Sequence, residues 1–181
     1  MSSNTIYLAF INNHFPPFWQ NLAEDLNRCV PYPFSHLHLD LDLSLFYSGE
    51  RNQYHSTYLL STILQHVPDD GRKIIGITDV DIFIPILTFL FGEAQLNGIG
   101  AVVSTYRLRN EFYGLPPNPL LLYKRTLKEI LHELGHTLGL VHCPNFECIM
   151  HSSTYVEDID LKHEFFCARC QNIIGVNCSK S

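Results

Sequence analysis

Apolar positions run along this chain with two different periods. Ile6 to Ile11 is an almost continuous apolar run, which predicts a short strand buried on both faces. After Pro16-Pro17 the pattern turns helical from Phe18 to Arg28. His36-Leu37-His38-Leu39-Asp40-Leu41-Asp42-Leu43 alternates polar and apolar residues, so it predicts an edge or half-exposed strand. Tyr54 to His66 fits an amphipathic helix, Lys73 to Thr78 a central strand, and Gly100 to Ser104 another strand. A turn-rich stretch then leads to Asn118-Pro119, a cap residue followed by a proline in the first turn of a helix. Leu127, Ile130, Leu131, Leu134 and Leu138 follow at spacings of three and four, the stripe of a long amphipathic helix. Strands alternating with helices predict an α/β (α+β) fold, a mixed, mostly parallel, twisted sheet with helices packed on it.

That long helix carries the most informative residues in the chain. It ends in His132-Glu133-Leu134-Gly135-His136-Thr137-Leu138-Gly139-Leu140-Val141-His142, the pattern H-E-x-x-H-x-x-G-x-x-H. Residues four apart lie on one helix face, so His132 and His136 can send two imidazoles to one metal. Glu133 sits about 100° further round, too far to ligate but near enough to serve a metal-held water as general base. Gly139 accepts the positive φ that a reversal needs, and the turn returns His142 as a third ligand. Three protein ligands leave one vertex open, as catalytic zinc requires. A purely structural histidine cluster is the plain alternative.

Six cysteines are present, five of them from Cys143 onward. Cys143-x4-Cys148 and Cys167-x2-Cys170 make two short knuckles suited to a closed structural zinc. Two disulfides are the competing reading. The N-terminal residues carry no basic start with a long apolar run, so a cytoplasmic, reducing location and hence metal are expected. Cys178 reads as a tail residue and Cys29 as a buried free thiol. The polar stretch from His151 to Lys162 predicts a long loop that the second metal would clip.

Composition narrows the partners. Net charge is −6 with 12 Lys and Arg against 18 Asp and Glu, and no basic run is present. Nucleic acid is therefore not an expected partner. Ile82 to Phe91 is the most hydrophobic stretch, but it is short and broken by Pro85, so a membrane span is not expected. Nothing in the pattern sets an oligomeric state. Asp79 and Asp81, at a strand end, read as turn or capping residues, and Glu93 as a hydrogen-bonding residue of the packing shell. His36 and His38 read as a solvated strand face.

The run H-E-L-G-H-T-L-G-L-V-H-C-P-N-F-E-C-I-M, followed by F-C-A-R-C, resembles the archaemetzincins, zinc metallopeptidase-like proteins of the metzincin clan. The likeness extends upstream to Gly76-Ile77-Thr78-Asp79 and Phe91-Gly92-Glu93-Ala94, and covers the earlier residues only in outline. It implies a catalytic zinc on His132, His136 and His142, with Glu133 as the base. It also implies a methionine turn at Met150 beneath that metal, and a second zinc on Cys143, Cys148, Cys167 and Cys170. On this reading residues 1–139 form a sheet-and-helix part ending in the active-site helix, and residues 140–181 a small zinc-stapled part of one catalytic domain.

The expected reaction is zinc-assisted hydrolysis of a peptide or protein substrate lying along a sheet edge. Gly98, Gly100, Ala101 and Val102 are the expected edge, because glycines let a second backbone approach. Phe112, Tyr113, Pro116, Pro117 and Tyr155 are bulky enough to crowd the approach. The chief alternative is therefore a latent zinc protein that binds peptides or a protein partner. A further alternative treats the residues after Leu140 as a docking module.

Overall fold

The computed structural model describes residues 4–12 and 21–176. Five strands build the main sheet: β1 (Thr5–Ile11), β2 (Phe34–Leu39), β5 (Gly71–Thr78), β7 (Gly92–Ala94) and β8 (Gly100–Ser104). Their order is β2-β1-β5-β8-β7. The first four in that order run parallel, and β7 closes one side antiparallel to β8. A smaller sheet joins β3 (Tyr47–Ser48), β4 (Gln53–His55) and β6 (Ile82–Phe83).

Alternation along the strands divides the core into two layers. Ile6, Leu8 and Phe10 of β1, with Ile75, Ile77, Ala101 and Val103, face α1 (Leu22–Asn27) and α3 (Pro119–Thr137). Ala9 and Ile11, with Ile74 and Val102, face α2 (Ser56–Leu64) through Leu59, Leu60 and Ile63. The first layer continues past the end of α3 without a break. Leu134, Leu140, Cys143, Met150, Phe166 and Cys170 all belong to it. The cysteine-rich segment thus packs on the same core as the sheet.

Strand β2 is the half-exposed edge that its alternation predicts, but it ends at Leu39 and not at Leu43, because Asp42 caps a 3-10 turn over Leu43–Phe46 by accepting the Ser44 N–H at 3.1 Å. The helix expected from Tyr54 begins at Ser56, because Tyr54 and His55 pair with Ile82 and Phe83 in the small sheet. The helix expected from Phe18 is described only from Leu22 to Asn27, its first residues and Cys178 lying outside the described residues. The loop expected between His151 and Lys162 contains a helix, α4 (Val156–Leu161), and a further helix, α5 (Ala168–Ile174), follows Cys167. Asp158 starts α4 by accepting the N–H groups of Thr154 and Tyr155 at 2.8 and 2.9 Å, which satisfies donors that the first turn leaves free.

The proposed edge at Gly98–Ser104 is a correction. Strand β8 is interior: Ile74, Ile75 and Gly76 pair with it on one side, and Glu93 and Ala94 on the other. All five of its residues are buried, as an unbroken apolar strand covered on both faces should be. Gly98 lies in the turn before it, where its carbonyl accepts the Lys73 ammonium at 2.5 Å. The true edge on this side is β7. Among the described residues no helix is long and apolar enough to cross a membrane.

Candidate metal centre and active site

Helix α3 is built to end at the histidine cluster. Asn118 caps its start, the side-chain oxygen accepting the N–H of Leu121 at 3.0 Å. At the other end Gly139 takes φ of +97°, and the N–H groups of Gly139 and Leu140 return to the carbonyls of His136 and Gly135 at 3.0 and 2.9 Å. A side chain at that φ would be strained. The reversal brings Val141 and His142 back beside the last turn of α3.

His132, His136 and His142 each offer a ring nitrogen, and these atoms all lie within 4.8 Å of one another. Two of the rings are oriented from behind. Nδ1 of His132 donates to the Ile149 carbonyl at 2.8 Å, and Nδ1 of His136 to the Leu140 carbonyl at 2.7 Å. A carbonyl can only accept, so both protons sit on Nδ1 and both Nε2 lone pairs face inward. The two Nε2 atoms are 3.1 Å apart, close to the edge of about 3.4 Å for a tetrahedral zinc–imidazole centre. Burial holds all three imidazoles below their ordinary pKa, His132 well below it, and the Lys162 charge adds to the effect at each. Neutral, convergent imidazoles are the donor state that a divalent zinc needs.

Glu133 faces the same space. It is buried against β7, where a side chain at Gly92 would collide with its carboxylate, a Cβ there falling 2.6 Å from Oε1. Burial and the neighbouring Glu129 and Glu93 carboxylates hold its pKa well above the ordinary carboxylate range. These groups line a cavity of about 620 Å³ between Leu87–Ala94 on one wall and Val141, His142 and Ser152–Thr154 on the other. Phe112, Tyr113, Pro116, Pro117 and Tyr155 are absent from that lining, so the expected crowding does not occur. Phe112 lies instead against Arg107, 4.7 Å from its guanidinium, and the Tyr113 hydroxyl donates to the Arg107 carbonyl at 2.8 Å.

Met150 is fully buried beneath the helix. Gly135 makes room for it, because a Cβ there would run into Met150 Sδ. The Met150 carbonyl accepts the Cys143 N–H at 2.9 Å, which joins the methionine segment to the first cysteine knuckle.

Cys143, Cys148, Cys167 and Cys170 form the second donor cluster, with their sulfurs within 4.8 Å of one another. The Cys143–Cys167 and Cys148–Cys170 sulfurs are both 3.8 Å apart. A disulfide would need about 2.05 Å, whereas a tetrahedron of Zn–S bonds of about 2.3 Å has an edge of about 3.8 Å. Burial raises the Cys148 and Cys170 thiols. It also opposes ionisation of Cys167, yet the Cys170 N–H and the adjacent sulfurs bring that thiol down to about 7. Cys29 is buried just after α1, apart from this cluster, and its thiol donates to the Glu164 carbonyl at 3.1 Å.

Other candidates resolve as structural. Asp81 takes two hydrogen bonds from Arg107 at 2.7 Å each and one from Gln53 at 3.0 Å. Asp79 is exposed just after β5, and only its backbone carbonyl is seen to accept Arg109, at 2.9 Å. Glu93 accepts the Thr57 hydroxyl at 2.9 Å but also lines the cavity. His36 and His38 pack beside Phe10 and belong to neither metal-ligating group found among the described residues. Glu129 and Lys162 are buried charged residues beside the site that the pattern did not bring forward. The i, i+4 spacing of Glu129 and Glu133 was the available signal.

A helix that presents two imidazoles, a glycine turn that returns a third, and a buried carboxylate beside them under an antiparallel edge strand define a zinc metallopeptidase. The chain belongs to Peptidase family M54, whose family model matches residues 40–175. It is 44% identical over 131 residues to archaemetzincin of Methanocaldococcus jannaschii, covering 72% of this chain and 71% of that relative. The fold matches the crystal structure of archaemetzincin from Methanopyrus kandleri with a TM-score of 0.84 and 31% identity, over 96% of this chain and 94% of that one. It also matches a zinc-dependent peptidase from Methanocorpusculum labreanum with a TM-score of 0.83 and 28% identity, over 93% of this chain and 99% of that one.

Proposed function

We propose that the two donor clusters divide the work, the imidazole site carrying catalysis and the thiolate site holding the fold. The observation that carries this reading is the difference in access. His132, His136 and His142 border an open cavity that also holds Glu133 and leave a fourth vertex free toward it. Cys143, Cys148, Cys167 and Cys170 instead supply four sulfurs that would fill every vertex of a tetrahedral metal, even where Cys148 and Cys167 border a smaller cavity of about 390 Å³. A zinc ion on the three imidazoles supplies Lewis acidity and lowers the pKa of a water at its open vertex.

The chain's own residues do the rest. The Ile149 and Leu140 carbonyls keep two imidazoles in the ligating tautomer. Gly92–Ala94 offers the open side of β7 to an extended substrate, which adds as a further strand by main-chain hydrogen bonds. Leu87, Phe89 and Leu96 line the cavity beside that edge and receive apolar substrate side chains. Glu133 takes the proton of the attacking water and returns it to the leaving amine. The open cavity favours hydrolysis over a latent, peptide-holding role. Thiols at Cys143, Cys148, Cys167 and Cys170 fit a reducing, cytoplasmic compartment.

Glu133→Ala is the direct test. Hydrolysis of a mixed fluorogenic peptide pool should fall by about 10²–10⁴-fold while metal content per chain is unchanged. Turnover at the wild-type rate would end the hydrolytic reading.

A further inference from the structure

Lys162 follows α4 directly, and its side chain is only 1% exposed. A buried ammonium is costly unless it is well compensated, and an apolar side chain of similar volume often serves packing as well or better. Its Nζ donates to the His151 carbonyl at 2.8 Å and to the Ile149 carbonyl at 3.3 Å. Those two carbonyls flank Met150 on either side. The Glu129 carboxylate lies 4.0 Å from the same Nζ, and Glu129 Oε1 is buried without a hydrogen-bond partner.

The Ile149 carbonyl has a second duty. It also accepts Nδ1–H of His132, at 2.8 Å. A carbonyl has two lone pairs and can take both donors. The contacts therefore close a circuit that leaves α3 at Glu129, crosses to Lys162, passes through the Ile149 carbonyl, and returns to α3 at His132. An apolar residue at position 162 could fill the space, but it could not hold that carbonyl.

We propose that Lys162 is a positioning residue for the imidazole site. It fixes the carbonyl that sets the ring plane and tautomer of His132, and Glu129 is the anion that keeps the ammonium in place. Groups behind a ligand that orient it in this way typically carry a 10–100-fold effect on metal affinity. The proposal rests on the imidazole site being a metal site, and the experiment separates the two ideas.

Cobalt(II) is the probe, titrated into the metal-free full chain. Thiolate ligation gives intense near-ultraviolet charge-transfer bands, which report the thiolate site, and the imidazole site is read from the weaker visible bands that cobalt adds once the thiolate site is filled. In Lys162→Met the imidazole site should bind cobalt about 10–100-fold more weakly, with the thiolate bands titrating as in wild type. Glu129→Gln, a gentler change, should give a smaller loss of the same kind and covers the case in which the first variant fails to fold. Nitrogen-15 spectra of imidazole-labelled chain, with only the thiolate site loaded, should show His132 as a single Nδ1–H tautomer in wild type and as a mixture in both variants. Unchanged imidazole-site affinity in both variants, parallel weakening of both sites, or a single His132 tautomer throughout would each overturn the proposal. Absence of those added visible bands in wild type would instead overturn the metal reading, while the tautomer spectra still decide for or against Lys162.

Discussion

The two donor clusters are neighbours in sequence, with His142 beside Cys143, yet they are built by opposite means. The imidazole site takes two donors from the rigid end of α3 and a third from the turn after it. Its orienting hydrogen bonds come from backbone carbonyls, and one side faces open space. The thiolate site takes four donors from two short knuckles that no long helix or strand supports. On the proposed reading a bound metal would give those four sulfurs a common partner. A centre that must react borrows its geometry from a structure that stands without it. A centre that must hold provides the geometry to its surroundings.

The sharpest way to break that contrast is to remove one donor from each site. Cys148→Ser should unfold the C-terminal segment, because a structural zinc of this kind contributes about 10–16 kcal/mol in isolated zinc-binding peptides. Cys148 lies in the same buried layer as Leu134, Leu140, Met150 and Phe166, so the loss spreads to the imidazole site through the Met150–Cys143 hydrogen bond. Metal analysis should show loss at both sites, together with a large drop in thermal midpoint. His142→Ala should remove activity and one metal and leave the thermal midpoint close to wild type, since His142 is exposed. Equal thermal effects of the two variants would erase the division of labour.

The same contrast governs what could be read from the sequence. Both donor sets were legible because each rests on short-range spacing. One turn of helix separates His132 from His136, Gly139 punctuates the reversal, and two or four residues separate the paired cysteines. The edge strand was misplaced because β7 is three residues long and shows no alternation, whereas the richer β8 is interior. Helix α4 was hidden in a polar stretch because its six residues depend on one carboxylate, Asp158, for their start. The crowding expected from Phe112 and Tyr113 failed because Arg107, distant in the chain from its partner Asp81, draws those rings to itself. Lys162 and Glu129 were not singled out, because their roles depend on partners that only the folded chain brings together.

Gly135→Ala sharpens the comparison from the packing side. The added Cβ would meet Met150 Sδ and, at 3.0 Å, the Phe166 ring. Both are deeply buried, so neither can move freely. Overpacking of this sort costs about 1–3 kcal/mol. The strain falls between α3 and the methionine segment, on the side of the imidazole site. Denaturant midpoints should fall accordingly, and cobalt affinity should fall at the imidazole site more than at the thiolate site. A variant as stable as wild type would show that Met150 can shift at no cost and is not a fixed floor.

The smallest effect belongs to Asp158. Its carboxylate accepts the Thr154 and Tyr155 N–H groups, and the Tyr155 N–H bond is the first cause that holds its pKa below the ordinary value of 3.8. A carboxyl with a depressed folded pKa binds fewer protons when folded than when unfolded across the window between the two values. Its contribution is therefore complete above the unfolded value and is lost as pH falls through the folded one. Ser152, Ser153 and Thr154, just before this cap, form one wall of the cavity. Asp158→Asn should lower stability by a constant small amount near neutral pH, and the gap from wild type should close below pH 3.8. Peptide KM should rise while kcat changes little, because Ser152–Thr154 shape binding and supply no metal donor. The thiolate site has no part in that wall, so its metal affinity should not move. A gap that stays open in acid would mean that the cap acts through shape alone, and the charge would then have no role in holding the cavity wall.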